Sequence, residues 1–423
     1  MNFDFKNQRL SRIIYINMKG NIMALLIIIG ILFTIDVLSY MYLKQLFVAT
    51  GWQRIPYGSI IFYTITVIGY ILLGYIVISM RKASPSDADF GAFFFVFGLL
   101  TLLYLPKFNF LIFGLIQYIS GFFSAKVSIL LFKTGVAFAV ISFALILYGI
   151  LIGKYDFQTK TQPIYSPRLP QTFDGLRIVQ VSDIHLGSYG SDYAQLARAV
   201  SIINSLKPDI VVFTGDLVIN YSSELKGWQD VFNKIEAPYG KFSILGNHDY
   251  GDYSHWETPR AKRENLQNII NGHAKLGFKI LLNEHIAVHR GTDSIIIAGV
   301  ENWGLPPFPQ HGDLARAFLG ANAETFSILL SHDPSHWDAQ VKTSPWADLT
   351  LSGHTHGFQY GIDKFGIKWS PVQYKYPKWS GLYAENGKYL YVNVGLGVVG
   401  FPGRVGMRPE ITLFTLHRGV QGE

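Results

Sequence analysis

The chain has 423 residues, of which 49% are hydrophobic and 15% are charged, and its formal net charge is +7 at pH 7. Soluble domains usually contain about 25% charged residues. The positive excess is confined to residues 1–153, which contain eleven basic and four acidic residues, whereas the remaining 25 basic and 25 acidic residues cancel. A nucleic-acid-binding domain needs basic charge on its folded surface, so we expect no nucleic acid partner. Cysteine is absent, which excludes disulfides and thiolate metal ligands.

Residues 1–153 are predicted to form an all-α transmembrane domain. A helix that crosses a bilayer needs about 20 apolar residues. Four apolar runs approach or exceed that length: residues 22–43, 57–80, 90–106 and 127–153. Residues 108–123 are uncharged, but they follow Pro106 and contain several polar side chains. For this segment a fifth span, a re-entrant segment and an interfacial helix all remain open.

Charge favours four spans with both chain ends on the cytoplasmic side. That topology places nine Lys and Arg residues in the inner segments and four in the outer loops, as the positive-inside rule requires. The four outer residues are Lys44, Arg54, Lys107 and Lys126. Asp36 and Lys133 would then lie at similar depth, and we predict that they pair. The alternative is that Lys133 snorkels to the interface while Asp36 lies in a polar crevice. The sequence thus predicts a multi-pass protein of the lipid bilayer with a cytoplasmic C-terminal domain.

Residues 154–173 are polar and contain three prolines, so we predict an extended linker there. In residues 174–423, short runs of β-branched residues alternate with polar stretches, which is typical of a layered α/β domain. The predicted strands are residues 177–181, 210–213, 242–245, 294–298, 326–330, 348–351 and 389–394. Leu196, Val200 and Ile203 recur at helical spacing and predict a helix between the first two strands.

Four short motifs and one isolated histidine follow the ends of predicted strands. They are Asp183-Ile184-His185, Gly215-Asp216, Gly246-Asn247-His248-Asp249, Gly353-His354-Thr355-His356 and, between the last two, His332. Loops at strand ends allow side chains from distant parts of the sequence to converge. Carboxylate, imidazole and amide donors without sulfur favour Mn, Fe, Zn or Co over Mg alone. The pattern therefore indicates a metal site.

In this order the motifs resemble the signature of the calcineurin-like metallophosphoesterases, which runs DxH, GD, GNH(D/E), a single His and GHxH. The resemblance covers residues 176–414 and says nothing about the apolar N-terminal part. It implies a four-layer α/β/β/α sandwich of two mixed sheets with helices outside. Together with the apolar runs, the predicted fold class is α/β, with this sandwich preceded by an all-α transmembrane domain.

The resemblance also implies two divalent metal ions and a role for each motif residue. Asp183, His185 and His356 would hold one ion, Asn247, His332 and His354 would hold the other, and Asp216 would bridge them. His248 would stand beside the substrate as a catalytic residue, with Asp249 orienting its ring. A water molecule between two such cations loses a proton easily and becomes the nucleophile.

The expected function is hydrolysis of a phosphate ester or diphosphate by a membrane-bound, binuclear-metal phosphoesterase, and lipid-linked or nucleotide-lipid molecules are candidate substrates. One alternative is a catalytically silent membrane sensor or scaffold with the same fold. Within enzymes, the alternatives are a nucleotide phosphodiesterase and a protein phosphatase. All motif positions are intact, which disfavours the silent protein. Nothing in the sequence specifies an oligomeric state.

Two further features are candidates for substrate contact. Residues 358–383 interleave aromatic and lysine side chains directly after the last motif, and they predict either a surface that meets lipid headgroups or a hairpin that covers the core. Arg404 and Arg408 are candidates for binding a phosphate, with structural pairing as the alternative. His255 and His336 lie close in sequence to motifs and are candidates for supporting the ligands.

Overall fold

The structure is a computed structural model that describes residues 22–49, 57–79 and 87–420. Two compact units divide the chain. The first comprises Met1–Leu151 with Gly400–Gly403, and the second comprises Ile152–Val399 with Arg404–Glu423. Within the described residues, the long apolar helices belong to the first unit and all strands belong to the second.

The helices of the first unit are α1 (Ile22–Ala49), α2 (Tyr57–Ser79), α3 (Asp87–Gly121) and α4 (Ala125–Leu151). Three apolar segments of the described chain are long enough to cross a membrane: Ile27–Lys44, Phe90–Gly121 and Ala125–Tyr155. A shorter apolar segment, Phe62–Tyr75, lies in α2. The number of spans stays a prediction.

The predicted break after Pro106 is wrong, because α3 runs through this proline without interruption. Residues 108–121 therefore form the second half of one 35-residue helix and not a separate segment. A proline inside a helix removes one backbone hydrogen bond, and apolar helices tolerate this where neighbouring groups compensate. Sequence reasoning gave the proline too much weight against the apolar residues on both sides of it.

Asp36 is buried in α1 and pairs with Lys107 of α3, not with Lys133. The distance from Lys107 Nζ to Asp36 Oδ1 is 2.6 Å. The hydroxyls of Tyr70 and Tyr104 donate to Asp36 Oδ2 at 2.9 and 3.1 Å, whereas Lys133 is exposed. The predicted pair is wrong because Lys107 was assigned to a loop, and the continuous α3 instead places it inside the helical unit. The similar depth of Asp36 and Lys133 therefore no longer supports a cytoplasmic C-terminal domain.

Lys107→Ala should destabilise the helical unit strongly, because it leaves the buried Asp36 carboxylate without a cation. Breaking one side of a buried ion pair costs about 3–5 kcal/mol. Thermal unfolding of the full chain in detergent micelles measures the effect, with Lys133→Ala as the matched control. Equal shifts in Tm for the two variants would contradict the observed pairing.

The second unit contains two six-stranded sheets and a two-stranded hairpin. The strands are β1 (Gln158–Ser166), β2 (Arg177–Val181), β3 (Ile210–Phe213), β4 (Lys241–Ser243), β5 (Lys279–Ile280), β6 (Glu284–Arg290), β7 (Asp293–Gly299), β8 (Ser327–Leu330), β9 (Leu349–Ser352), β10 (Ile362–Lys364), β11 (Ile367–Trp369), β12 (Gly381–Glu385), β13 (Lys388–Val392) and β14 (Glu410–Arg418). One sheet has the order β1-β14-β2-β3-β4-β5, and the other has the order β12-β13-β9-β8-β7-β6. The hairpin consists of β10 and β11.

The two large sheets pack face to face, with helices on both outer faces. The helices are α5 (Tyr193–Ser205), α6 (Gln229–Phe232), α7 (Pro259–Lys275) and α8 (Leu314–Ala317). Ile178 and Val212 point into the core between the sheets, which they share with Ile297 and Leu330 of the second sheet. The alternate residues of the first sheet pack on α5 and α7, and those of the second sheet pack on α8. The predicted four-layer sandwich is confirmed.

The predicted linker differs from the structure, because residues 158–166 form β1 at the edge of the first sheet. This strand pairs in parallel with β14, starting with Gln158 opposite Glu410. Pro163 lies within it and has no N–H to donate, which an edge strand tolerates. Residues 158–166 therefore belong to the first sheet of the second unit and do not form a linker.

Strand direction determines where the motifs meet. β2, β3 and β4 are parallel neighbours in the first sheet, and β8 and β9 are parallel neighbours in the second. The carboxyl ends of parallel neighbours lie at the same edge of a sheet. Asp183, Asp216 and Asn247 therefore leave one sheet close together, and His332 and His354 leave the other.

Candidate metal centre

The structure brings the predicted site residues into three overlapping groups. In each group the potential ligand atoms lie within 4.8 Å of one another. The groups are Asp183 with His185 and His356, then His185 with Asp216 and His248, and finally Asp216 with His332 and His354. Asn247 joins the third group, because its Oδ1 atom lies 2.8 Å from His354 Nδ1.

Asp216 Oδ2 lies between the two halves of the site. It is 3.6 Å from His185 Nε2 and 3.1 Å from His332 Nε2. On the His185 side, His356 Nε2 lies 3.0 Å from His185 Nε2 and 3.3 Å from Asp183 Oδ1. One carboxylate oxygen is thus shared by donor groups that come from both sheets.

The ring nitrogens that face the centre are the Nε2 atoms of His185 and His332. His185 Nδ1 lies 3.1 Å from the carbonyl oxygen of Val218, and His332 Nδ1 lies 2.7 Å from that of Thr214. A carbonyl only accepts, so each Nδ1 is protonated, and each Nε2 is the atom that can bind a cation. His332 Nε2 has no aligned hydrogen-bond partner among the described residues. A buried carboxylate next to these nitrogens requires positive charge, from a proton on His332 or from a metal ion, so the residues fit a metal ion.

The charges of the site favour such a cation. Burial alone would lower the pKa of His332, but the carboxylates of Asp216 and Asp183 outweigh it and raise this pKa to about 10. Burial and then the charge of His248 lower the pKa of His185 to about 3. Positive charge is therefore stabilised beside Asp216, while His185 stays neutral, as a metal ligand must be.

Several ligands have strained backbones. The φ angles of Asp183, His185, Asp216, His354 and His356 lie between 46° and 72°, in the left-handed region that non-glycine residues rarely adopt. Such strain persists only where the surroundings enforce it. Here the first and last motifs hold each other, because the backbone N–H of His354 donates to both carboxylate oxygens of Asp183 at 3.0 Å.

Two motif glycines are required by this close approach. A Cβ atom on Gly246 would lie 2.2 Å from Asp216 Oδ1, and one on Gly353 would lie 1.9 Å from Ser182 Oγ. Both contacts are far inside van der Waals distance. The glycines of the GNHD and GHTH motifs thus let neighbouring loops touch at the ligands.

Asp249 has a different contact from the one predicted. Its carboxylate accepts hydrogen bonds from the backbone N–H groups of Asp216, Leu217, Val218 and Gly246, at 2.9–3.2 Å. The ring of His248 is instead oriented by its Nδ1 contact with the Ile219 carbonyl at 2.8 Å. Asp249 therefore fixes the loop that carries Asp216 and does not orient the ring.

Sequence reasoning missed two residues that support the site. Glu224 is buried, and its carboxylate accepts four backbone N–H groups from the two loops that follow β2 and β3. The hydroxyl of Tyr376 lies 2.8 Å from His354 Nε2. Glu224 has no motif spacing that could have revealed it. Tyr376 belongs to the aromatic stretch, but no pattern there distinguishes it from its neighbours.

The two arginines have structural partners. Arg404 is buried and donates to the carbonyl oxygens of Gly397 and Val394, at 2.7 and 2.8 Å from Nη2. Arg408 Nη2 pairs with Asp156 Oδ1 at 2.7 Å. Both arginines therefore have structural partners, which was the alternative to phosphate binding. His336, a candidate for support, lies with its Nδ1 2.8 Å from the hydroxyl of Ser331, the residue before His332.

Comparison with known proteins identifies the family of this chain. The sequence profile of the calcineurin-like phosphoesterases matches residues 176–358. The uncharacterized metallophosphoesterase YkuE of Bacillus subtilis is 34% identical over 273 residues, which are 64% of this chain and 88% of YkuE. The chain belongs to the calcineurin-like phosphoesterase family. The resemblance found in the motifs is thereby confirmed.

Two further similar proteins have names that refer to a membrane or to a lipid. The transmembrane protein with metallophosphoesterase domain of Danio rerio is 31% identical over 293 residues, covering 67% of this chain and 63% of that protein. The UDP-2,3-diacylglucosamine pyrophosphatase LpxG of Chlamydia muridarum is 30% identical over 285 residues, covering 54% of this chain and 81% of LpxG.

A groove adjoins the centre of this metallophosphoesterase beside His354. Its volume is about 270 Å³. It is lined by Leu305, Pro334, Ser335, Asp338, Ala339, Lys375, Tyr376, Pro377 and Lys378. Tyr376 links it to the ligands through His354, and Lys378 Nζ pairs with Asp338 at 2.8 Å. The groove therefore has a partly apolar lining with two lysines, and Tyr376 connects it to His354.

Asp216→Asn should abolish most metal binding, because it removes the negative charge that both donor groups share. Bound metal stabilises the folded state by about 2.7 kcal/mol at 100 times its Kd. A chelator should therefore lower the Tm of the wild type and leave that of the variant unchanged. Mass spectrometry of bound metal gives the content, and His289→Gln, an exposed histidine outside the groups, is the control. Wild-type metal content in Asp216→Asn would refute this assignment.

Proposed function

We propose that this protein is a membrane-bound, binuclear-metal hydrolase of phosphate esters or diphosphates. The observation that carries the proposal is the pair of donor groups that meet at Asp216 with inward-facing imidazole nitrogens. One group is Asp183, His185 and His356, and the other is Asn247, His332 and His354. When bound, two divalent cations (Mn, Fe, Zn or Co) supply a water of lowered pKa and neutralise phosphate charge.

His248 is the residue we assign to proton transfer. Its backbone N–H donates to Asp216 Oδ1 at 2.9 Å, which places it beside the shared carboxylate. Its Nδ1 contact with the Ile219 carbonyl and its stacking on Tyr253, with ring centroids 4.4 Å apart, fix the ring. The opposite nitrogen, Nε2, is then available to carry a proton to a leaving oxygen.

His248→Ala should lower kcat by about 10²–10⁴ without changing the metal content, because proton transfer is lost while the ligands stay. Hydrolysis of bis-p-nitrophenyl phosphate with Mn²⁺ by detergent-purified full-length protein measures the rate. The metal content is determined on the same samples. A folded, metal-loaded wild type without any turnover would overturn the enzymatic proposal and favour a silent sensor or scaffold.

The substrate class we propose is a lipid-linked phosphate ester or diphosphate. Three observations support it: the apolar segments of the first unit, the partly apolar groove beside His354, and the similarity to a pyrophosphatase whose name specifies a nucleotide-linked diacyl sugar. A panel of lipid phosphates, nucleotide phosphodiesters and phosphopeptides, scored by mass spectrometry of the products, separates this class from the phosphodiesterase and protein phosphatase alternatives.

We also propose that the metal centre lies on the cytoplasmic side. Because Lys107 lies in the middle of α3 and pairs with Asp36, three basic residues remain at or near the outer ends of the helices in a four-span topology, against nine in the inner segments. The three are Lys44, Arg54 and Lys126, of which Arg54 lies outside the described residues.

Single-cysteine variants test this side directly, since the natural chain has no cysteine. Leu319→Cys, at a position 78% exposed in the second unit, should react with a membrane-impermeant maleimide only after the cells are permeabilised. Phe123→Cys, in the turn between α3 and α4, should react in intact cells. The opposite labelling pattern would place the centre outside.

A further inference from the structure

The hairpin of residues 362–369 carries a side chain that neither its turn nor the core explains. Phe365, at the tip between β10 and β11, is 97% exposed. Its φ angle is 56°, a conformation in which turns favour Gly, Asn or Asp. A phenylalanine there opposes the preference of the turn and gains no packing within the domain. We take this as the mark of a contact outside the domain.

The two faces of the hairpin differ. On one face, Asp363 pairs with Lys160 of β1 at 2.9 Å, and Lys368 lies over the rings of Trp379 and Tyr383 at 5.3 and 5.4 Å. On the other face, Ile362 and Ile367 are 48% and 58% exposed. The hairpin is therefore held in place by its inner face, while its outer face remains apolar and open to solvent.

The residues around the hairpin are also rich in exposed rings and in lysine. Phe358, Tyr360 and Tyr374 are exposed. Residues 358–377 contain three lysines and a single acid, Asp363, which is already paired. Aromatic rings with lysines are the side chains that settle at the boundary of headgroups and acyl chains, and lysines attract anionic lipids.

Only a short length of chain separates the last apolar helix from the strand that the hairpin contacts. Lys160, which contacts Asp363, follows Leu151, the last residue of α4, by nine positions. Nine extended residues span at most about 32 Å. Any membrane that α4 enters is therefore only a short length of chain from the strand on which the hairpin rests.

The hairpin is also close to the metal centre along the chain. β10 begins six positions after the ligand His356. Directly after β11, the hydroxyl of Ser370 donates to the carbonyl of Gly357 at 2.8 Å, which fixes the base of the hairpin to the last motif. A membrane contact at the tip would bring the mouth of the centre to the lipid surface.

We propose that residues 362–369 are a membrane-docking hairpin, in which Phe365 enters the boundary of headgroups and acyl chains of an anionic bilayer. Ile362 and Ile367 lie along this boundary, and Lys364 contacts the lipid phosphates. The docking itself does not depend on catalysis. Its consequence for substrate choice rests on the proposed function.

Depth measurement tests the docking. Because the chain has no cysteine, Phe365→Cys and Ile367→Cys each give one nitroxide label on the full-length protein. In nanodiscs of phosphatidylethanolamine with phosphatidylglycerol, oxygen should relax these labels more than a water-soluble nickel chelate does. Leu319→Cys, an exposed apolar residue outside the hairpin, should show the reverse. Labels at 365 and 367 that are as accessible to nickel as the one at 319 would overturn the proposal. So would dipolar coupling between labels on two copies, which would make the face a dimer contact.

Activity separates this proposal from the proposed function. In Phe365→Ser, the ratio of turnover on a bilayer-embedded phosphate ester to turnover on soluble bis-p-nitrophenyl phosphate should fall about tenfold, because a buried aromatic ring is lost from the lipid contact. Leu319→Ser should leave the ratio unchanged. An unchanged ratio in Phe365→Ser would remove the functional consequence of docking. Absence of turnover on both substrates in the wild type would reject the enzyme and leave the depth measurement to decide the hairpin.

Discussion

The structure depends on one electrostatic constraint, the burial of the Asp216 carboxylate among imidazole nitrogens. His185 and His332 approach the same carboxylate oxygen from different sheets, and both direct Nε2 inward. Without positive charge this arrangement is unfavourable, because buried anions need a partner. The register of the two sheets brings the ends of β2, β3, β8 and β9 to one place, where positive charge would offset this carboxylate.

Local sequence signals predicted the parts of the fold that surround this centre. β2 and β3 have the predicted bounds, because buried parallel strands are continuous runs of β-branched residues. The edge strand of the first sheet was harder to predict. β1 begins with five polar residues and contains Pro163, so its sequence favours a linker, and only pairing with β14 makes it a strand. An edge strand of this kind takes its stability from its neighbour and carries little signal of its own.

The candidate site likewise has parts that the sequence predicts and parts that it does not. The motif residues that meet at the centre were predictable because metal chemistry restricts candidate ligands to a few residue types at short spacings. The roles of Asp249 and Glu224 were not, since both bind backbone N–H groups of loops whose proximity is a tertiary property. In the helical unit, the partner of Asp36 depended on whether α3 continues past Pro106, and sequence rules alone favoured a break there.

The bond between the His354 backbone and the Asp183 carboxylate joins residues 171 positions apart. This separation sets an order of events during translation. The apolar helices of the first unit leave the ribosome before any ligand does, and the ligand set is complete only after His356 has been synthesised. A chain that ends before His356 therefore lacks part of the candidate centre, and the centre can form only after the apolar helices have been made.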